Sequence, residues 1–134
     1  MERVDPVPDT RCPCGLAASY AQCCGRWHGS LRLRAPDAEH LMRSRYTAYV
    51  LNRVDYLLAT WHPQTRPSRL DPGPADLRWL GLDVRQHVQL SESQATVEFV
   101  ARCKQNGRAS RLHEVSRFEK LDGCWLYVGV ERIR

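Results

Sequence analysis

The chain lacks any run of eighteen apolar residues, so none of its segments reads as a helix that crosses a bilayer. Internal repeats and low-complexity tracts are also missing, and 134 residues without them read as one domain plus a small appendage. The head, MERVDPVPDT, holds acids and prolines but no apolar stretch; a secretory peptide is not expected there, and the chain is expected in the cytoplasm. No glycine-rich phosphate loop is present. Lysine is scarce: of 20 basic residues, 18 are Arg and two are Lys, a bias that a G+C-rich genome explains without invoking function. Basic runs and a ladder of aromatics between them are both absent, so base stacking and sequence-specific nucleic-acid binding are not expected. No nucleophile–base–orienter set can be read from spacing, and no catalytic residue is assigned.

Cysteine, in contrast, is concentrated. Cys12, Cys14, Cys23 and Cys24 lie in the run RCPCGLAASYAQCCG, which is Cys-x-Cys, eight residues, then Cys-Cys. Four thiolates within thirteen residues can surround one tetrahedral metal ion. The competing readings are two disulfides or a set of free thiols. A bridge between Cys23 and Cys24 would be a strained vicinal disulfide, and Cys12 is poorly placed to bridge Cys14. A metal tolerates such pairs, because backbone turns aim adjacent side chains at one point. Gly15 and Gly25 flank the pairs and supply turn freedom, while Pro13 stiffens the first. In a cytosolic chain a cluster of this kind favours metal over disulfides. Zn(II) suits a closed all-thiolate site, with iron as the alternative for the same ligands. Four protein ligands leave no open position for substrate, so the site is structural or adhesive. His28 is the substitute fourth ligand.

The run CPCGLAASYAQCC resembles the SEC-C motif, a small metal-binding module found on the tail of the protein-export ATPase SecA. That motif ends in Cys-His or Cys-Cys, and the resemblance gives the fourth position to Cys24 over His28. The stretches PDAEHLMRSRYTAYV, DYLLATWHP, RWLGLDV, VEFVARC and EVSRFEKLDGCWLYV resemble the YchJ family, also called UPF0225, from about Cys12 to Tyr127. The resemblance implies an N-terminal SEC-C motif and a domain similar to nuclear transport factor two and the SnoaL-like proteins. Many members carry a second SEC-C motif at the C-terminus; this sequence stops at VGVERIR, and the second motif is expected to be absent. The resemblance implies a fold and a metal but no activity.

The residues lead to the same fold. Pro36 and Asp37 signal a helix start, and Leu41, Met42, Tyr46, Tyr49 and Val50 follow at helical spacing. Residues 54–61 read as a second short helix, stopped by His62-Pro63. Pro63 to Asp76 is a loop. From Trp79 the period becomes two: Leu80, Leu82, Val84, Val88 and Leu90 alternate with polar residues, and then Ala95, Val97, Phe99, Ala101 and Cys103 do so. Asn106-Gly107 and Asp122-Gly123 are hairpin turns. A third strand is expected over 112–121 and a fourth over 124–132. The expected class is α+β: a metal knuckle (1–29), then helices packed on a curved four-stranded antiparallel sheet (30–134), a cone that can hold a pocket. Trp61, Trp125, Cys103 and Cys124 read as core.

The net charge is +5, and six Arg fall between Arg26 and Arg53 against Asp37 and Glu39. Arg26, Arg32 and Arg34 adjoin the metal module and are the candidates for meeting a partner. Candidates for the cone interior are Arg45, Tyr49, His62, His113, Glu114, Arg117 and Tyr127. His113 and Arg117 share one strand face, and Glu114 shares the other with Ser116 and Phe118. The leading expectation is a non-enzymatic metal-binding adaptor that contacts a protein or ribonucleoprotein through the metal module. The alternative is a small-ligand binder or an isomerase- or dehydratase-like enzyme using the cone. Oligomeric state is not legible in the sequence.

Overall fold

Asp37 sets the start of the principal helix. Its backbone is extended, and its Oδ1 accepts the N–H of His40 at 2.8 Å, which caps a free donor of the first turn. The computed structural model describes residues 11–29 and 34–134. In it the metal-knuckle run ends in one helical turn, α1 (Cys24–His28); the capped helix is α2 (Ala38–Val50); and α3 (Val54–Ala59) follows. α3 ends before the His62-Pro63 stop, with Thr60 as its C-cap. Four strands complete the chain: β1 (Arg78–Gln89), β2 (Gln94–Gln105), β3 (Arg108–Leu121) and β4 (Cys124–Ile133), antiparallel and in the order β1-β2-β3-β4. The boundary expected between residues 29 and 30 meets the undescribed residues 30–33, and Arg32 lies outside the described residues.

The two hairpins with two-residue loops turn as their sequences require. Asn106 and Gly107 have φ of 52° and 74°, and Asp122 and Gly123 have 52° and 81°, the paired positive angles of the two-residue turn that matches strand twist. β3 begins at Arg108, four residues before the expected 112. Residues 108–111 are all exposed, so no alternation marks them, yet they pair with Arg102–Gln105.

β1 departs from its expected alternation. Register shifts fall between Trp79 and Gly81 and between Val84 and Gln86. Each extra residue reverses which side chains face the helices. Trp79, Leu82 and Val84 therefore pack on the core, while Leu80 is 56% and Leu90 59% exposed. His87 faces α2, with Nδ1 3.9 Å from Glu39.

The core lies between α2 and the inner face of the sheet. Leu41, Met42 and Tyr46 meet Val97, Phe99, Phe118 and Trp125 there. Trp61 is not part of that cluster; it lies at the edge, bridged to Tyr127 of β4, with ring centroids 5.0 Å apart. Cys103 and Cys124, expected to be buried, are half-buried. Cys103 Sγ sits 3.2 Å from Ser110 Oγ near the Asn106-Gly107 turn, and Cys124 opens β4 directly after its turn.

The Asp37 cap carries a pH dependence. Burial pushes its carboxyl up, but hydrogen bonds from the His40 backbone and ring outweigh this and leave it below its usual value. A carboxyl depressed in the fold stabilises above its unfolded pKa and loses that contribution as pH falls through the folded one. Asp37→Ala should therefore destabilise by about 1 kcal/mol near neutral pH. In chemical denaturation at successively lower pH, the difference from the native chain should shrink towards zero.

Candidate metal centre and cone cavity

Local backbone geometry gathers the four cysteines. The segment closes on itself through hydrogen bonds from the Cys12 N–H to the Ala18 carbonyl and from the Gly25 N–H to the Tyr20 carbonyl, at 2.9 and 2.7 Å. Gly15 has φ of 96°, where glycine alone is at ease. Gly25 is required for a different reason: a Cβ there would lie 2.6 Å from the Tyr20 carbonyl oxygen. The Sγ atoms of Cys12, Cys14, Cys23 and Cys24 all lie within 4.8 Å of one another, and all four residues are buried. Cys14 and Cys23 sulfurs are 3.6 Å apart, far beyond a disulfide bond and close to the ~3.8 Å edge of a tetrahedron with metal–sulfur bonds of ~2.3 Å. Donor type, number and spacing fit one ion held by these four residues, and they leave no position for a substrate.

Cys12, Cys23 and Cys24 do not ionise alike. Hydrogen bonds from the thiols of Cys14 and Cys24 hold Cys12 well below the usual thiol range. Burial and the neighbouring sulfurs of Cys14 and Cys12 push Cys23 up to about 12. Cys24 is pushed up as well, because its thiol donates to Cys12 and Cys14 and because it is buried. An ion must therefore displace protons, and acid should release it.

α2 covers the cluster. Thr47, fully buried, donates from Oγ1 to Cys24 Sγ at 3.4 Å and lies 3.8 Å from Cys12 Sγ. Arg43 donates from Nη1 to the Cys14 carbonyl at 2.9 Å. His28 stands outside the sulfur cluster: its Nε2–H donates to the Ser44 carbonyl at 2.8 Å, which leaves Nδ1 of the neutral ring to accept from the Tyr20 hydroxyl at 2.9 Å. Arg43, Ser44 and Thr47 were not expected at the site. Their only sequence signal is the i, i+4 spacing of Arg43 and Thr47, which has meaning only once the knuckle is known to pack on this helix.

The opposite side of α2 roofs a cavity of about 340 Å³. Its walls are mostly apolar, from Met42, Tyr46, Trp79, Phe99 and Phe118, and Arg45, Tyr49, Glu114 and Tyr127 of the expected set line it. Burial lowers Arg45 to about 10 and raises the Glu114 carboxyl and the Tyr127 hydroxyl. Three expected interior residues are elsewhere. β3 turns the Glu114, Ser116 and Phe118 face inward, so His113 and Arg117 lie on the outer face, where His113 pairs with Glu98 at 2.7 Å. His62 is buried below the sheet edge, its Nδ1 accepting the Gln64 N–H at 3.1 Å, and it does not line the cavity. A larger groove of about 500 Å³ runs along the loop containing Pro72 and Pro74, but Asp71 and Arg78 are the charged residues lining it. Arg26 and Arg34 are exposed beside the knuckle; Arg26 donates to the Cys23 carbonyl and stacks 4.4 Å from the Trp27 ring centroid.

Residues 37–130 match the family described as YchJ, middle NTF2-like domain. A UPF0225 protein of Bordetella pertussis is 58% identical over 125 residues, covering 92% of this chain and 94% of its own. The chain belongs to the YchJ (UPF0225) family. A UPF0225 relative in Ralstonia nicotianae is 54% identical, with 92% of each chain covered. Among solved structures, a SEC-C motif containing protein from Rhodopseudomonas palustris aligns with TM-score 0.81 and 33% identity over 92% of this chain and 98% of the other. A SEC-C motif containing protein from Psychrobacter arcticus aligns at 0.77 and 31%, over 95% and 84%. The cysteine knuckle and cone are thus the family's SEC-C and NTF2-like parts. No helix among the described residues is long and apolar enough to cross a membrane.

Elemental analysis of the purified chain should find one metal equivalent, lost in the Cys12→Ser, Cys14→Ser double variant and lost on titration from about pH 8 to about pH 5. Full retention by the double variant would place the metal elsewhere. Thr47→Val should keep the stoichiometry but release metal faster to a chelator, since the Cys24 sulfur loses its hydroxyl donor.

Proposed function

We propose that this YchJ-family chain is a zinc-stapled, non-enzymatic binding protein whose cone cavity takes a small organic ligand. The observation that carries this reading is the convergence of buried Arg45 and half-buried Glu114 on one apolar cavity of about 340 Å³. Apolar walls with a few aimed polar groups are the usual make-up of a small-molecule site, and this volume lies at the small end of their range. Binding is favoured over turnover because, among the described residues, no lining nucleophile has a base in hydrogen-bond contact. Zinc is favoured over iron because four buried thiolates around a closed tetrahedron suit a metal without redox demands. In this reading the ion holds the knuckle against α2, and α2 in turn holds the cavity.

A second reading rests on a separate observation. Arg26 and Arg34 are exposed beside the knuckle, and with Trp27 they would suit an acidic protein or ribonucleoprotein partner.

The two separate in one comparison. Fragment screening by amide chemical shift on the intact, metal-loaded chain should produce hits that move Trp79, Phe99 and Phe118, with the Arg26→Glu, Arg34→Glu variant unaffected. A ligand-silent cavity, together with salt-sensitive capture of an acidic protein or ribosomal RNA that this variant abolishes, would favour the partner reading instead.

A further inference from the structure

The cavity carries two ionisable groups to which the protein itself gives no partner of opposite charge. Arg45 is 4% exposed. Its Nη1 donates to the Leu57 carbonyl and to Thr60 Oγ1, both at 2.7 Å, and its guanidinium carbon lies 4.4 Å from the Tyr127 ring centroid and 4.9 Å from that of Trp61. None of these partners is a carboxylate, nor is the Tyr49 hydroxyl that also interacts with the guanidinium. No carboxylate among the described residues forms an ion pair with it. Lowered only to about 10, Arg45 is a cation at neutral pH. A buried cation without a counterion is an incomplete electrostatic arrangement, because its desolvation is not offset by an opposite charge.

Glu114 reaches the same cavity from β3. Its side chain makes no hydrogen bond or ion pair among the described residues, although its backbone pairs within the sheet. Burial raises its carboxyl, and no cation or donor opposes the rise, so Arg45 does not serve it. The rings of Tyr46, Trp79, Phe99 and Phe118 line the same cavity.

We propose that the cavity takes a small aromatic carboxylate, with its anion against Arg45 and a hydroxyl donor turned to Glu114. This rests on the cavity being a ligand site. The aromatic walls select a flat, apolar body. A guanidinium has the planar fork that matches a carboxylate. One arginine, with an acid in the same cavity and no second cation, suits a monoanion better than a phosphate. A ligand lacking the donor would cover Glu114 and leave it unpaired, which weakens binding.

The test titrates the intact, metal-loaded chain with 3- and 4-hydroxybenzoate, benzoate and 4-hydroxybenzamide, read by amide shifts. At least one hydroxybenzoate should move Trp79, Phe99 and Phe118, and 4-hydroxybenzamide should bind at least about tenfold more weakly, the loss of one hydrogen bond to a charged group. Arg45→Lys should weaken the acids and leave the amide unchanged. Glu114→Leu, which removes no side-chain hydrogen bond or ion pair within the protein, should erase the advantage of hydroxybenzoate over benzoate. An amide that binds as tightly as the acids would overturn the anion assignment while leaving the ligand site standing. A hydroxyl advantage that survives Glu114→Leu would overturn the role of Glu114. Silence from all four probes, or shifts confined to Arg26 and Arg34, would overturn the ligand site itself. Should Arg45→Lys fail to fold, the acid–amide comparison on the native chain still decides the charge.

Discussion

Ser44, Arg45 and Thr47 lie almost side by side in α2 and are nearly out of water, at 0%, 4% and 0% exposed. Polar groups survive such burial only when each has a partner, since an unpaired one costs a few kcal/mol. Here each points to a different part of the molecule. Ser44 donates to the Leu41 carbonyl and meets the Tyr56 hydroxyl of α3 at 2.7 Å. Thr47 meets the sulfurs of Cys24 and Cys12. Arg45 ties α2 to the end of α3. Rotating the helix by one residue would break all three sets together, so the orientation of α2 is fixed by its polar residues as much as by Leu41, Met42 and Tyr46. That orientation aims Thr47 at the sulfurs and Tyr49 at the cavity.

The sheet depends on the same helix in a second way. β4 is an edge strand, and its Tyr127 exchanges backbone hydrogen bonds with Thr60 and His62 at 2.9 and 2.8 Å. The segment after α3 therefore covers part of an edge that would otherwise present unpaired groups. Arg45 holds that segment in place from inside, under the rings of Trp61 and Tyr127.

The fold was legible because its signals are local. Asp37 before an apolar helix, two glycine turns and alternation in β2 each name their element without reference to the rest. The four cysteines were legible for the same reason, since the whole ligand set fits in thirteen residues. What escaped is non-local. Leu80 looks like an inward residue by parity, and only pairing with β2 shows that a bulge turns it out. His113 and Arg117 share a face, but spacing within one strand cannot say which face the helices cover. Thr47 and Arg43 serve the sulfur cluster across a gap of more than twenty residues, which no motif records.

The order of parts along the chain has a consequence for how the molecule comes into being. The sulfurs, Gly15, Gly25, His28 and the Arg43, Ser44 and Thr47 groups that cover them all precede the first residue of β1. Each strand then pairs with the one made just before it. As the chain leaves the ribosome, the thiols and their covering helix are complete while the sheet has yet to be synthesised. The cavity, which needs α2 and all four strands together, is the last part to close.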